Sequence, residues 1–410
     1  MASVMNLFII ALLMVSWGRV LLRLSPHISL SAGGTTTSLM VPLFLAWLVV
    51  KLRSRDRFLP LDLRSPLVVF SLYCGVSLLW CPRGDAWFFL RMVFPALLGY
   101  IMVRDFMAAD PSFWRGKLLP ALFAGALLIV LRGVVESPEH LMAFGELDSR
   151  YEHHTLMTMN LLLLIPAVIA ALHMRRKPVY FYLVSLVLMI FATVLCGSRV
   201  GLVTLFLVLL HSTFTFSGAR TRLVGICGTI AAVLFLFLLP VTHQRFVGLL
   251  ALGDDPYLIT RTRIWDMTLS FAGSHPLVGL GFSNRAFLET GKEKFGELLF
   301  FYEHPHNLYL QIFTLLGALG ILLFIWLAVD TGKKLDALKK SIDPDISSLG
   351  QALMVSFAWF LFANLVEGAL NSPRLMLTIF LLLAVVDGLY ARRQGESATP
   401  QPPSPAPREN

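Results

Sequence analysis

Long apolar runs recur along almost the whole chain, and they constrain its fold more than any other feature. A run of roughly 17 or more residues is long enough for a helix to cross a hydrocarbon core about 30 Å thick. Only 14% of the residues are charged, whereas soluble domains carry about 25%. The alternating segments of about ten residues that build membrane β-barrels are absent. The sequence therefore predicts an all-α polytopic membrane protein with about twelve transmembrane helices.

Hydropathy predicts the positions of these spans. They are Met5–Leu22, Leu39–Leu52, Pro66–Leu79, Phe88–Val103, Leu118–Val135, Leu156–His173, Val179–Cys196, Gly201–Phe216, Leu223–Val241, Leu308–Val329, Leu349–Val366 and Leu375–Tyr390.

Basic residues predict the orientation of these spans. More than half of the 34 lysines and arginines fall on every second connection, and basic loops stay in the cytoplasm. Both termini are therefore predicted to be cytoplasmic. The net charge of +9 follows from this topology and does not indicate a nucleic-acid partner.

Arginines also occur on the connections predicted to lie outside. They include Arg83, Arg132, Arg150, Arg199, Arg245, Arg261, Arg263, Arg285 and Arg374. Long outer loops escape the charge bias of short loops, which is one explanation for them. A second is an anion site on the outer face, because the planar guanidinium fork suits phosphate and carboxylate groups.

The connections divide the chain into four parts. Residues 1–241 hold nine spans, 242–307 form a large outer loop, 308–391 hold three spans, and 392–410 form a polar, proline-rich tail predicted to be disordered. The loop contains two amphipathic segments, Thr260–Ala272 and Asn284–Tyr302, which are predicted to be helices at the membrane surface. This loop is the only connection large enough to be a small domain.

A polar pair, His306 and Asn307, stands at the mouth of the tenth span, with Gly317 and Gly320 deeper in that span. An imidazole near neutral pKa suits general-base catalysis. Together with the arginines predicted on the outer side, His306 resembles a general base next to an anion-binding site. Helix capping is the alternative for Asn307, and close helix packing is the expected role of the two glycines.

Four motifs in order resemble the O-antigen ligase superfamily of lipopolysaccharide ligases, polysaccharide polymerases and protein O-oligosaccharyltransferases. His306-Asn307, nine residues and Gly317-x-x-Gly320 match its longest signature. The other three are Ser198-Arg199-Val200-Gly201, Arg261-Thr262-Arg263-Ile264-Trp265 and His275-Pro276-Leu277-Val278-Gly279-Leu280-Gly281. In the third motif Thr260 stands where the family has glycine.

This resemblance implies a GT-C-like glycosyltransferase of the bacterial inner membrane, active at the periplasmic face among membrane lipids. The donor would be O-antigen on undecaprenyl diphosphate and the acceptor a sugar hydroxyl of lipid A–core. The resemblance implies neither a metal nor another cofactor.

The roles that follow are a base, an anion clamp and sugar contacts. His306 would be the base of an inverting transfer, and Arg199, Arg261 and Arg263 would clamp the diphosphate, where negative charge grows as the glycosidic bond breaks. Contacts to sugar or acceptor are expected from Asn307, His304, Glu303 and Trp265.

Two other functions remain open. An O-antigen or polysaccharide polymerase of the same superfamily would use a second lipid-linked glycan as acceptor. A twelve-helix secondary transporter, or a flippase for lipid-linked glycans, would share the topology. Transporters place ionisable residues or broken helices near the midplane. Here the polar residues gather at the outer rim, which favours an outer-leaflet enzyme.

Overall fold

The computed structural model describes residues 1–17, 32–54, 64–81, 86–136, 154–174, 177–216, 256–295 and 304–398. Within these ranges the regular structure is helical. The helices are α1 (Ala2–Trp17), α2 (Ala32–Ser54), α3 (Pro66–Val76), α4 (Ala86–Ala109), α5 (Leu119–Glu136), α6 (His154–His173), α7 (Val179–Leu195), α8 (Arg199–Phe216), α9 (Pro256–Ser274), α10 (Asn284–Phe295), α11 (Leu308–Lys339), α12 (Pro344–Ala363) and α13 (Pro373–Ala398).

Seven of the described helical segments are long and apolar enough to cross a membrane. They are Ala86–Ala109, Trp114–Leu131, Thr155–His173, Arg199–Phe216, Leu308–Lys339, Pro344–Ala363 and Pro373–Gln394. Shorter apolar helices run over Ala2–Val15, Pro66–Leu79 and Val179–Leu195. The α-helical, multi-pass class is thus confirmed. The total of twelve spans stays a prediction, because the ninth, Leu223–Val241, lies outside the described residues.

Two helices run further than the sequence predicted. The tenth predicted span ended at Val329, whereas α11 continues to Lys339. Residues 392–398 were assigned to a disordered tail, but α13 includes them up to Ala398. The reason is local, because Arg392, Arg393, Gln394 and Glu396 are strong helix formers that prolong an established helix into water.

The helix bundle is centred on α4, α6 and α13, whose faces are buried. α13 packs along α4, α6 packs against α12, and α12 packs against α11 and α8. Tyr100, Phe106 and Phe123 are among the largest fully buried side chains. The site described below lies where α9, the start of α11 and the turn after α12 meet.

Two lysines of the bundle are paired with aspartates of neighbouring helices. Lys51 of α2 contacts Asp105 of α4 at 2.7 Å, and the Trp47 indole N–H donates to the same carboxylate at 2.9 Å. Lys334 of α11 lies 2.7 Å from Asp387 of α13. Each pair joins two helices, which is the arrangement that makes ionised groups tolerable in an apolar interior.

Candidate active site

The turn that precedes α11 carries His306 in an unusual backbone conformation. Its φ is +48°, the left-handed region that side-chain-bearing residues rarely adopt. The next residue, Asn307, caps the helix, since its side-chain oxygen accepts a hydrogen bond from Leu310 N at 2.9 Å. The capping alternative for Asn307 is therefore confirmed. Strained backbone of this kind persists where surrounding contacts impose it.

Those contacts come from the turn after α12. The Asn307 side-chain amide donates to the Leu365 carbonyl at 2.7 Å, and Leu308 N donates to the Asn364 carbonyl at 3.0 Å. Asn364 is fully buried. The two turns are thus bound to each other by backbone and side-chain hydrogen bonds.

Glu367, in the same turn after α12, connects His306 to Arg261. One carboxylate oxygen lies 3.1 Å from the Arg261 guanidinium nitrogen Nη2. The other lies 3.7 Å from His306 Nδ1. Glu367 is buried, and its side chain is 6% exposed, against 29% for Arg261 and 22% for His306. A buried carboxylate therefore joins a base candidate to an arginine across three elements.

Glu367 directly follows the eleventh predicted span, and sequence reasoning gave it no role. The signal that identifies it is physical: a carboxylate this close to an apolar span needs a cationic partner. His306 and Arg261 are 61 and 106 residues away from Glu367 in sequence. Their contacts with Glu367 therefore form only when α9 and the start of α11 pack against the turn after α12.

The face of α9 that meets this turn carries Arg261 and Trp265. They are four residues apart and so lie above one another on the helix. The Trp265 indole N–H donates to the Pro305 carbonyl at 2.8 Å, which fixes the residue before His306. Arg263 is only two residues from Arg261 and therefore lies on another side of α9, where it is exposed.

His304 packs directly against His306. The two imidazole rings have centroids 4.2 Å apart and are tilted by 37°. Gly368 makes room for this arrangement, because a Cβ on that residue would lie 2.6 Å from His304 Cδ2. Two histidines therefore share the turn, and Pro305 between them is held by Trp265.

The loop that follows α9 lies against a break in α11. Gly317 has φ +66° and ψ −166°, which interrupts the helix. Loop and helix exchange backbone hydrogen bonds: Leu280 N to Thr314 O, Gly281 N to Leu315 O, Ala318 N to Pro276 O and Leu319 N to Leu277 O, at 2.8–3.2 Å. The Tyr73 hydroxyl donates to Leu316 O at 3.0 Å.

The close contact between this loop and α11 explains why two motifs contain glycine. A Cβ on Gly317 would lie 2.3 Å from the Leu277 carbonyl carbon, and one on Gly279 would lie 2.4 Å from that of Leu315. A Cβ on Gly320 would lie 2.2 Å from Leu316 Cβ on the same helix. Close approach was predicted, but between spans. The structure places it between a loop and a broken helix, since the break frees backbone groups that the loop satisfies.

Arg199 opens α8 after a short turn. Gly197 has a φ of +62°, and the Ser198 hydroxyl accepts a hydrogen bond from Gly201 N at 3.1 Å. Gly201 admits α6 at close range, because a Cβ there would lie 2.3 Å from the Thr158 methyl group. Arg199 is half-buried, and α8 packs against both α6 and α12.

The structure thus brings His304, His306, Arg261 and Trp265 into one site around Glu367. Arg199 stands at the start of a helix adjoining α12, Arg263 is directed away, and Glu303 lies outside the described residues. Within the described ranges, no group of three or more His, Cys, Asp or Glu side chains is arranged to hold a metal ion.

Part of the chain matches a known protein family. Residues 184–325 match the sequence model of the O-antigen ligase family. This segment, about a third of the chain, is therefore similar to O-antigen ligases. The matched O-antigen ligase segment runs from α7 into α11 and so includes Arg199, Arg261, His306 and the break at Gly317. The resemblance predicted from the four motifs is confirmed.

Two curated relatives are similar to this chain. A Rickettsia felis protein named "Putative polysaccharide ligase" is 24% identical over 302 residues, which cover 69% of this chain and 71% of the relative. A Rickettsia prowazekii protein, also named as a putative polysaccharide ligase, is 35% identical over 95 residues, 22% of this chain and 24% of the relative. Both names describe a ligase that acts on polysaccharide.

Proposed function

We propose that this protein is a lipopolysaccharide O-antigen ligase of the bacterial inner membrane. It transfers O-antigen from undecaprenyl diphosphate to a sugar hydroxyl of lipid A–core at the periplasmic face. The observation that carries the proposal is the grouping of His306, Glu367 and Arg261, assembled from three elements around one buried carboxylate.

His306 is the proposed general base. It removes the proton from the acceptor hydroxyl as that oxygen attacks the anomeric carbon, and the single displacement inverts that carbon. The imidazolium that forms is stabilised by Glu367, whose carboxylate lies 3.7 Å from Nδ1. At this distance the carboxylate stabilises the positive charge of the ring by electrostatic attraction.

Arg261 is the proposed contact for the diphosphate. Glu367 engages Nη2 of its guanidinium group, and the remaining N–H groups are donors for phosphate oxygens. Negative charge grows on the leaving diphosphate as the sugar departs, and a cation already in position lowers the energy of that state. Arg199 and Arg263 contribute further positive charge on the proposed periplasmic side of the protein. The diphosphate leaves without protonation by a general acid.

The membrane setting suits two lipid-anchored substrates. The segments α9 and α10 lie between spans in sequence, and α9 packs against α11. Donor and acceptor both reach such a site laterally from the outer leaflet. The proposed orientation, which rests on the distribution of basic residues, has both termini in the cytoplasm and the site facing the periplasm.

The named relatives favour a ligase over the polymerase alternative. A transporter or flippase is less well supported, although α11 is broken about ten residues from its start. Five of the backbone groups near that break are bound by the loop and by Tyr73. The break therefore has a structural cause that requires no transported ligand.

Complementation of a deletion of the chromosomal gene tests the proposal. His306→Ala is expected to abolish O-antigen on lipid A–core while undecaprenyl-linked polymer accumulates. His173→Ala is the matched control, because His173 is an exposed histidine at the C-terminal end of α6. This variant should restore wild-type lipopolysaccharide. The readout is a gel of lipopolysaccharide together with the extracted lipid-linked glycan.

Two outcomes would contradict the proposal. Full complementation by His306→Ala would remove the base assignment. A deletion that leaves single repeats attached to lipid A–core would identify a polymerase instead.

A further inference from the structure

The loop between α9 and α10 contains seven consecutive residues without a polar side chain. They are residues 276–282, with the sequence PLVGLGF, and His275 and Ser283 flank them. The sequence predicts that this connection lies outside the membrane. Loops that lie in water are rich in Ser, Thr, Asn, Asp, Gly and Pro. The four large side chains of this apolar loop therefore indicate a less polar environment.

One side of the apolar loop is packed onto the helix bundle. Phe282 is fully buried, and its ring centroid lies 5.1 Å from that of Phe88 in α4. Gly281 lies against the turn after α3, because a Cβ on it would be 3.0 Å from Cys81 Cα. Gly279 lies against α11 in the same way. The apolar loop is therefore held by the bundle and does not project away from it.

The apolar loop contacts α11 well beyond the first residue of that helix. Its hydrogen-bond partners on α11 lie between Thr314 and Leu319, which is roughly 10–15 Å from the start of the helix at 1.5 Å per residue. No charged residue occurs from Leu308 to Val329, and α11 is long and apolar enough to cross a membrane. The apolar loop therefore lies beside a membrane-spanning part of α11.

The opposite side of the apolar loop is exposed and continues the outer surface of the neighbouring spans. Leu277 is 67% exposed and Val278 is 37% exposed. One face of α11 carries exposed apolar side chains at spacings of three and four residues, namely Leu319, Leu322, Trp326 and Val329. The exposed apolar residues of α3 and the turn after it are Leu72, Val76 and Leu79. Leu319 N donates to Leu277 O at 3.2 Å, so the exposed side of the apolar loop directly adjoins the face of α11 that meets lipid.

The backbone of the apolar loop is suited to a surrounding without water. Irregular backbone at membrane depth is tolerated only where protein groups satisfy it. The four N–H groups from Gly279 to Phe282 donate to protein acceptors at 2.9–3.0 Å, which are His275 O, Thr314 O, Leu315 O and the Ser77 hydroxyl. The carbonyls of Pro276 and Leu277 accept from α11. These groups therefore need no water molecule as a partner.

We propose that the apolar loop is inserted into the membrane on the side of the active site, with Leu277 and Val278 in contact with lipid acyl chains. Lipid is the occupant because the exposed side of the loop continues the lipid-facing surface of α11. The inserted loop directly follows α9 and so holds that helix at the membrane surface. Since α9 carries Arg261 and Trp265, these residues are kept at the level where a lipid-anchored substrate presents its polar head. The insertion itself does not depend on the proposed reaction.

Spin labels in full-length protein measure this insertion without any substrate. In a variant without the four native cysteines, Leu277→Cys would carry a nitroxide label after reconstitution into phospholipid nanodiscs. Leu322→Cys, on the exposed face of α11, is the control in lipid. Glu289→Cys on α10, whose native side chain is 49% exposed, is the control in water. The accessibility of each label to oxygen, which concentrates in hydrocarbon, and to a water-soluble nickel chelate gives its depth.

We expect the label at Leu277 to lie about 5–10 Å below the boundary between headgroups and acyl chains, the depth of interfacial apolar segments. Its accessibility to nickel should be close to that at Leu322 and well below that at Glu289. Accessibility to nickel equal to that at Glu289 would place the loop in water and overturn the inference. Low accessibility to both reagents would show that a second copy or another protein segment covers Leu277, which would overturn it as well.

A measurement on the wild-type protein decides the question if Leu277→Cys does not fold. The protein would be reconstituted with a phospholipid that carries a photoreactive group on its acyl chain, illuminated and digested. Peptides from residues 276–282 and from the exposed face of α11 should both carry the lipid adduct. Labelling of α11 without labelling of residues 276–282 would contradict insertion of the loop. Enzymatic activity plays no part in either measurement, so the result stands apart from the test of the proposed function.

Discussion

At the scale of single residues, the site depends on one buried carboxylate. Glu367 contacts Arg261 and lies near His306, while the residues before and after His306 are held by Trp265 and Asn307. Such a carboxylate is costly to bury, and its partner offsets that cost. The base candidate and the anion clamp are therefore coupled, and neither is independent of the turn after α12.

Arg261→Met tests this coupling through stability. Removing the guanidinium leaves the Glu367 charge buried without its ion pair, so the free energy of unfolding should fall by about 2 kcal/mol, less than for a fully buried pair because Arg261 is partly exposed. Adding Glu367→Gln should recover much of that loss. Thermal unfolding in detergent of both single variants and the double variant measures the coupling, and strictly additive effects would argue against it.

At the scale of elements, α11 is built as two helices joined at Gly317. The loop 276–281 binds the freed carbonyls and amides on one side, and Tyr73 of α3 binds Leu316 O on another. Irregular backbone in a membrane segment is tolerated only where protein groups satisfy it. The motifs around Gly279 and Gly317 thus contact each other, and this junction positions the N-terminal part of α11.

Gly317→Ala should disrupt this junction. The backbone at Gly317 is in a region available almost only to glycine, worth about 1–3 kcal/mol, and the new Cβ would meet Leu277 at 2.3 Å. Gly332→Ala in the same helix is the control, because nothing lies within 4 Å of its Cβ. We expect loss of monodisperse protein on size-exclusion chromatography for Gly317→Ala and none for Gly332→Ala. Equal behaviour of the two would refute the junction.

At the scale of the whole molecule, apolar helices form a bundle whose basic connections alternate with less basic ones. The pairs Lys51–Asp105 and Lys334–Asp387 join α2 to α4 and α11 to α13. The site with Arg261 and His306 is at the opposite end of α11 from Lys334. The predicted orientation places the lysine pairs near the cytoplasm and the site in the periplasm.

Cysteine labelling tests this orientation. In a variant without the four native cysteines, Thr262→Cys on the exposed surface of α9 should react with a membrane-impermeant maleimide in spheroplasts. Asp336→Cys near the end of α11, whose native side chain is 51% exposed, should react only after permeabilisation. If only Asp336→Cys reacted in intact spheroplasts, the predicted topology would be inverted. If both cysteines reacted before permeabilisation, the prediction that they lie on opposite sides of the membrane would be wrong.

Hydropathy determined the class of this protein, and eleven of the twelve predicted spans overlap described helices, because apolar length is a local property. Motif order also predicted the resemblance to O-antigen ligases, which needs no coordinates and which the match over residues 184–325 supports. Asn307 was correctly weighed as a cap, since capping depends on a few neighbouring residues.

Only the tertiary structure decided the composition of the site. Sequence spacing grouped Arg261 with Arg263, whereas helical geometry separates them and brings Arg261 to Glu367. The break at Gly317 and the contacts of Glu367 depend on loop 276–281 and on the turn after α12, which are distant in sequence from α9 and α11 or from each other. Local chemistry fixes the helices of this protein, but the partners of its buried polar groups are chosen by packing between elements far apart in the chain.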